Sequence, residues 1–486
     1  MSDRKSIKFN FLMNSILTMS SLIFPLVTFP YISRILLPSG IGKVTFATSV
    51  VSYFNMLAQL GIPTYGIRTC ARIRDDKEEL TKIAQELLII NLFMSAVSYL
   101  FFAIALFKIP RFKEEYVLYI IISLTIILNS IGMEWLYKAL EQYKYITVRS
   151  IIFKFIAVIA MFYLVRKQED YICYGWITIF AASASNIFNL INVHKYISLK
   201  PLGNYKLRRH LKPVFMFFTM VCATTIYTNL DTVMLGFMKT DADVGYYNAA
   251  VKIKSILVSI ITSLGTVILP RSSYYIEHNQ MKEFQRITKK ALNFVFILAT
   301  PLMLYFILFA RSGIYFLSGS AYEGSVIPMQ IIMPTLLLIG ITNILGMQIL
   351  VPMGKEKIVL YSEIAGAIAD LVLNIIFIPK FASAGAAMGT LVAEFVVLVV
   401  QYIYLKKKSS KILQNINCKK IVLSLSIATI GSFWIQLLNI SDFIKLVASS
   451  LLFFGIYGVL LLILKEQFIM EIFIQVIKKL ENCTKK

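Results

Sequence analysis

Lys252 and Lys254 stand near the middle of GYYNAAVKIKSILVSIITSLGTVILPR (245–271), an apolar stretch long enough to cross a bilayer. A lysine at that depth costs roughly 3 kcal/mol on insertion scales, so it is expected to face a bundle interior or a water-filled cavity rather than lipid. Two such ammonium groups offer a compact counter-charge to an anion, and Arg34, towards the outer end of the first apolar span, adds a bidentate fork. Residues two apart on a helix point about 200° apart, so the lysines address different faces. For one of them the structural alternative is an ion pair with Asp231, which lies at similar depth on the preceding span. Arg68 and Arg271 sit at the inner ends of corresponding spans, beside Pro63 and Pro270. Anchoring on the basic side of the membrane explains them, and recruitment of an anionic headgroup is the functional alternative.

A second group offers oxygen. Asp370 and Asn374 are four apart and share a helix face, as do Thr390 and Glu394 on the next span. With Asp231 these oxygens fall at comparable depth, a set suited to sodium or a transferred proton. Glu394 has the alternative of pairing with a lysine across a cleft. Lys154 can snorkel, while Glu86 and Glu363 lie nearer helix ends and are expected to be hydrated. No Gly-x-x-x-x-Gly-Lys-Ser/Thr segment exists, which excludes ATP as the direct drive and leaves an ion gradient. The expectation is no resident cofactor, and no metal beyond sodium.

The elements that must position these groups follow from composition. Of 486 residues 58% are hydrophobic and 15% charged, outside the range of soluble domains. Fourteen apolar spans can be placed, and no loop exceeds about 20 residues. Counting Lys and Arg, with those in the first residues of a span given to the adjoining loop, puts 35 on the N-terminal side and 10 on the other. The basic side is the cytoplasmic one, so both termini are expected inside. Gly42 and Arg68 enclose an apolar span of the same length as Gly245 and Arg271, at an offset of 203 residues. Six spans return the chain to its starting side, so this echo predicts parallel repeats about a central cationic cleft. The fold expected is an all-α integral membrane protein with two six-helix lobes and two extra helices. The divisions are 1–195 for the first lobe, 196–212 for a basic connection, 213–405 for the second lobe, 406–465 for the extra helices and 466–486 for a tail. Residues 466–480 have apolar residues at helical spacing, either as a surface helix or as an extension of the last span.

GYYNAAVKIK, the following TSLGTVILPR, TNLDTVMLG in the seventh span and LLPSGIGKVTFATSVVSYFNMLAQLGIPTYGIR in the first half together resemble the Wzx-type polysaccharide flippases. These belong to the multidrug/oligosaccharidyl-lipid/polysaccharide exporter superfamily. The resemblance implies two six-helix lobes with two peripheral helices. It also implies transfer of an undecaprenyl-pyrophosphate-linked oligosaccharide from inner to outer leaflet of the cytoplasmic membrane, for surface polysaccharide synthesis. In the related lipid II flippases a similar acidic and amide group on helices 7, 11 and 12 binds sodium, which the resemblance alone supplies here. The partners implied are the lipid-linked oligosaccharide and membrane lipids, with a polysaccharide polymerase as a further candidate and a monomer as the expected state. A multidrug or other small-molecule exporter of the same superfamily is the competing function. Such exporters mostly take organic cations and favour an acidic cavity, whereas Arg34, Lys252 and Lys254 outnumber Asp231.

Other classes are excluded on the same residues. The net charge of +23 would suggest nucleic acid in a soluble chain, but KLRRHLK (206–212) and KKKSSK (406–411) are topology signals beside anionic headgroups. The first span is too long for a signal-peptide core and is expected to stay. Five scattered cysteines make neither a disulfide framework nor a zinc site. Asp241 and Asp243 form an Asp-x-Asp, which in glycosyltransferases can hold a metal and a nucleotide sugar. Here it precedes a helix, where acids suit the N-terminus. His194, His210 and His278 lie in inner loops without a nucleophile or carboxylate constellation, so no enzyme site emerges. The aromatic residues, 13% of the chain, are spread over all spans and assign no sugar-stacking position.

Overall fold

In the computed structural model, residues 7–408, 418–466 and 468–471 are described, and all regular structure among them is helical. A helix is the form in which a single segment satisfies its own backbone groups in hydrocarbon. Ten helices are long and apolar enough to cross a membrane, or eleven if the bent pair Ser320–Ile332 and Thr335–Leu350, which meet at 44°, counts as one span. Most of the expected tail helix, 472–480, lies outside the described residues.

The chain divides into two compact units, Met1–Gly245 and Tyr246–Lys486. In the first, Ile7–Gln59 runs through Pro25 and Pro30 and breaks its helical geometry at Leu37 (φ 58°), immediately before Pro38. Leu60 and Gly61 then turn the chain with positive φ into the Ile62–Arg72 helix. Gly61 is required twice over, for its φ of 73° and because a Cβ there would come within 2.5 Å of the Phe218 nitrogen. Asp76 caps Lys77–Lys108 by accepting from the Glu78 and Glu79 nitrogens, each at 3.0 Å. Tyr116–Gly132, Tyr143–Leu164 and Arg208–Met238 complete the long helices of this unit, with shorter pieces spanning 168–195. Ile62, Leu80, Leu87, Trp135 and Val214 form its core at one end.

The second unit is built on the long Asp241–Glu277 helix, whose first five residues count with the first unit. Met281–Leu308, the bent pair and Glu356–Lys408 follow. Glu356–Lys408 contains Pro379 and breaks three residues after it, at Ala382 (φ 47°, ψ −125°), which divides it into two helices. Cys418–Phe433 and Asp442–Ile463 pack on Met281–Leu308 through Tyr305, Phe309, Phe453 and Tyr457. The buried Tyr457 and Tyr305 hydroxyls donate to the Ile297 and Leu446 carbonyls, both at 3.0 Å.

The glycines that mark the 203-residue echo meet within the first unit. A Cβ on Gly42 would strike the Asp241 carbonyl and come 3.0 Å from the Gly245 nitrogen, and one on Gly245 would strike the Pro38 carbonyl. Two corresponding helix starts therefore touch backbone to backbone, which only glycine allows.

Candidate functional site

Lys252 and Lys254 lie about 16 and 20 Å along the Asp241–Glu277 helix from its start. Ala250, Ile253, Leu257 and Ile261 form its buried seam, at the spacing of one helix face. The two lysines flank that seam on opposite sides, each half-buried. Among the described residues of this unit no carboxylate lies within 4.0 Å of either ammonium. From Lys252 a polar stripe continues through Ser255, Ser259 and Ser263, at i+3, i+7 and i+11. Their hydroxyls donate to carbonyls of their own helix at 2.7–2.8 Å. That disposes of each hydroxyl proton and, at Ser255 and Ser259, leaves oxygen lone pairs to accept from a ligand. The stripe was missed in the sequence reading, although its spacing was legible there.

Arg34 is exposed, and its Nη1 folds back to donate to the Pro30 carbonyl at 2.6 Å. Arg68 and Arg271 are exposed as well, each on its own helix. Lys154, in the middle of Tyr143–Leu164, donates to the Ser20 and Ser21 hydroxyls at 2.9 and 2.8 Å, which ties its helix to the first one.

The oxygen-bearing residues of the second unit lie on two stretches of one helix, Glu356–Lys408. Asp370, Asn374, Thr390 and Glu394 are all buried. Asp370 and Asn374 both lean on Gly389: a Cβ there would strike Asn374 Oδ1 and come within 2.9 Å of Asp370 Oδ1. Thr390, next along the chain, shares a 2.9 Å hydrogen bond with the Tyr247 hydroxyl, and its own hydroxyl reaches the Ala386 carbonyl at 3.1 Å. Carboxylate, amide and hydroxyl oxygens of this kind are hard donors of the type a small cation takes. Asp231 is buried in the other unit.

Two expectations are overturned. Glu86 is not hydrated but fully buried, because the segment 198–210 folds across it. It accepts from the Lys206 nitrogen at 2.7 Å, from Arg209 Nη2 at 2.7 Å and Nε at 3.0 Å, and bonds His210 Nε2 at 2.7 Å. The neighbouring Gln85 holds the Ser198 and Lys200 carbonyls at 2.7 and 2.8 Å. His210, which the sequence reading left without a carboxylate, thus lies between Glu86 and the Tyr65 hydroxyl, 2.9 Å from Nδ1. Every oxygen of Glu86 is occupied by a donor, which makes this a clamp on the basic connection. Glu363 is half-buried.

The Asp-x-Asp pair is likewise committed. Asp241 takes Arg111 Nη2 at 2.6 Å, beside a second pair in which Lys43 meets Glu115 at 2.5 Å and Tyr171 donates to Glu115 at 2.7 Å. Asp243 caps its helix, accepting from the Thr240 nitrogen at 3.2 Å and hydroxyl at 2.7 Å.

Long apolar helices carrying buried charge describe a multi-pass membrane protein. The family model described as "Polysaccharide biosynthesis protein" matches residues 7–276, and one described as MatE matches 217–376. The chain belongs to the polysaccharide biosynthesis protein family, as a Wzx-type member of the multidrug/oligosaccharidyl-lipid/polysaccharide exporter superfamily. It is similar to the "Putative O-antigen transporter" of Escherichia coli (strain K12), 25% identical over 407 residues, covering 83% of this chain and 98% of that one. Its fold resembles the lipid II flippase MurJ in an inward closed conformation, with a TM-score of 0.69, 16% identity and coverage of 94% of this chain and 100% of that one. An inward-facing multidrug resistance MATE family transporter superposes with a TM-score of 0.64, 13% identity and coverage of 83% and 98%. The chain is therefore a membrane transporter of polysaccharide biosynthesis, not an enzyme.

Proposed function

We propose that this flippase carries a polyprenyl-pyrophosphate-linked oligosaccharide from the inner to the outer leaflet of the cytoplasmic membrane by alternating access. The observation that carries the reading is the pair Lys252 and Lys254, half-buried inside a membrane-spanning helix without a carboxylate partner among the described residues of their unit. An unpaired ammonium at that depth is costly, and a passing anion is what would offset it. The lysines would meet the pyrophosphate and the serine stripe the sugar hydroxyls, whose hydration must be replaced in transit. Arg34, Arg68 and Arg271 are placed as entry and exit contacts along the same route. A fourteen-span topology belongs to this reading, supported by the breaks at Leu37 and Ala382, which would let each of those helices make two crossings, with Tyr116–Gly132 and the bent pair making one each. The basic loops support both termini in the cytoplasm.

The drive is an ion gradient. Asp370, Asn374, Thr390 and Glu394 would take a sodium ion or a proton; all four are buried, and Asp370 and Asn374 both approach Gly389. Such an ion would supply about 2.3 kcal/mol per charge across 100 mV. Asp231 belongs to the set on helix depth alone.

Surface polymer in a deletion strain complemented with Lys252→Ala/Lys254→Ala tests the substrate role. Export should be lost while the protein remains at wild-type amounts in the membrane, and wild-type polymer would refute it. The coupling role is tested separately, in proteoliposomes with imposed sodium or pH gradients. Asp370→Asn should weaken the gradient response more than substrate binding, and an unchanged response would leave a passive flippase.

A further inference from the structure

The second unit holds an apolar groove of about 340 Å³ that belongs to neither candidate site. Ile341 and Leu345 of the bent span are its floor, Leu292 and Phe296 of Met281–Leu308 one wall, and Phe395 and Tyr402 of Glu356–Lys408 the other. Phe395 is 55% and Tyr402 42% exposed, so the groove is open along one side. On helices that cross a bilayer, such an opening faces hydrocarbon. The volume is at the lower end for a ligand pocket, room for one slender apolar chain.

Its depth follows from the same helices. Leu292 lies just after the polar run MKEFQRITKK (281–290), and Tyr402 just before the run of lysines that begins at Lys406. Both runs belong to the basic side of the membrane, so the groove lies in the inner leaflet. Helical spacing puts Lys289, three residues before Leu292, and Lys406, four after Tyr402, on the groove-lining faces one turn nearer the surface. The surrounding charges separate these two from their neighbours. Arg286 is paired with Glu283 at 3.4 Å and Lys290 with Glu471 at 2.5 Å, whereas Lys289 and Lys406 have no carboxylate within 4.0 Å among the described residues of the unit. An apolar slot beneath two uncommitted ammonium groups matches a molecule with a hydrocarbon chain and an anionic head.

We infer that this groove is a binding site for one acyl chain of an anionic phospholipid of the inner leaflet, with Lys289 and Lys406 holding its phosphate. A resident lipid there packs the bent span, which otherwise presents an open apolar face between its two neighbours. The site is independent of the flippase reading, and either can fail alone.

The test is native mass spectrometry of the full chain purified from vesicles containing equal phosphatidylglycerol and phosphatidylcholine. The wild type should retain one phosphatidylglycerol in preference. Lys289→Gln and Lys406→Gln should each lower that retention about fivefold, the weight of one basic residue at an anionic surface. Leu398→Trp, which fills the groove from its half-exposed rim, should abolish it without touching either lysine. Equal retention of both lipids, or retention unchanged in all three variants, overturns the proposal. So does displacement of phosphatidylglycerol by undecaprenyl phosphate but not by a second glycerophospholipid, since the groove would then belong to the transported lipid.

Discussion

Cations embedded in the helices of the two units are treated in opposite ways. In the first unit they are consumed by the fold: Lys154 by two serine hydroxyls, Lys43 by Glu115, Arg111 by Asp241, and Arg149 by the Ser185 carbonyl at 2.9 Å. In the second unit Lys252 and Lys254 stand in mid-helix with no carboxylate among that unit's described residues in reach. A buried charge that is paired and hydrogen-bonded holds structure, and removing its partner is expensive. One left unpaired costs stability and is retained for what it binds. Stability and export should therefore separate along this line.

The largest effect should come from breaking a satisfied group. Glu86→Gln leaves Arg209 and His210 without their carboxylate and should destabilise the protein by about 3 kcal/mol, the low end for a buried pair because Arg209 is partly hydrated. Thermal unfolding of the detergent-solubilised protein, followed by size exclusion, reads this directly. A variant as heat-resistant as the wild type would show that the clamp contributes little.

Next in size, and opposite in sign, is Lys252→Met/Lys254→Met. Removing uncompensated charge should leave stability unchanged or raise it by about 1–2 kcal/mol, below the full insertion cost because both lysines are only half-buried. Export in the same variant should be lost. A protein that both unfolds earlier and still exports would invert the comparison. The smallest effect is expected for Lys154→Met, which loses two hydroxyl contacts of the kind that average about 0.6 kcal/mol in membranes. Its melting temperature should fall by no more than a few degrees with surface polymer intact. Export lost at unchanged stability would move Lys154 from the structural to the functional class.

Legibility followed the range of the forces involved. Asp370 with Asn374 and Thr390 with Glu394 were readable because i,i+4 spacing determines which groups share a helix face, and the folded chain keeps all four buried. The lysines were readable because an apolar stretch 27 residues long has few places to put a charge. The serine stripe obeyed the same rule and was overlooked, since hydroxyls do not interrupt an apolar span.

The amino-acid sequence by itself determined the membrane class, the placement of most spans, the basic side and the glycine echo, since each depends on local hydrophobicity, charge or spacing. Tertiary structure decided that Glu86 is buried, because that depends on the segment 198–210 returning more than a hundred residues later to cover it. It also decided that Gly42 and Gly245 touch. Burial at a helix end and contact between distant backbones are properties of what packs there, and no local pattern encodes the identity of that neighbour.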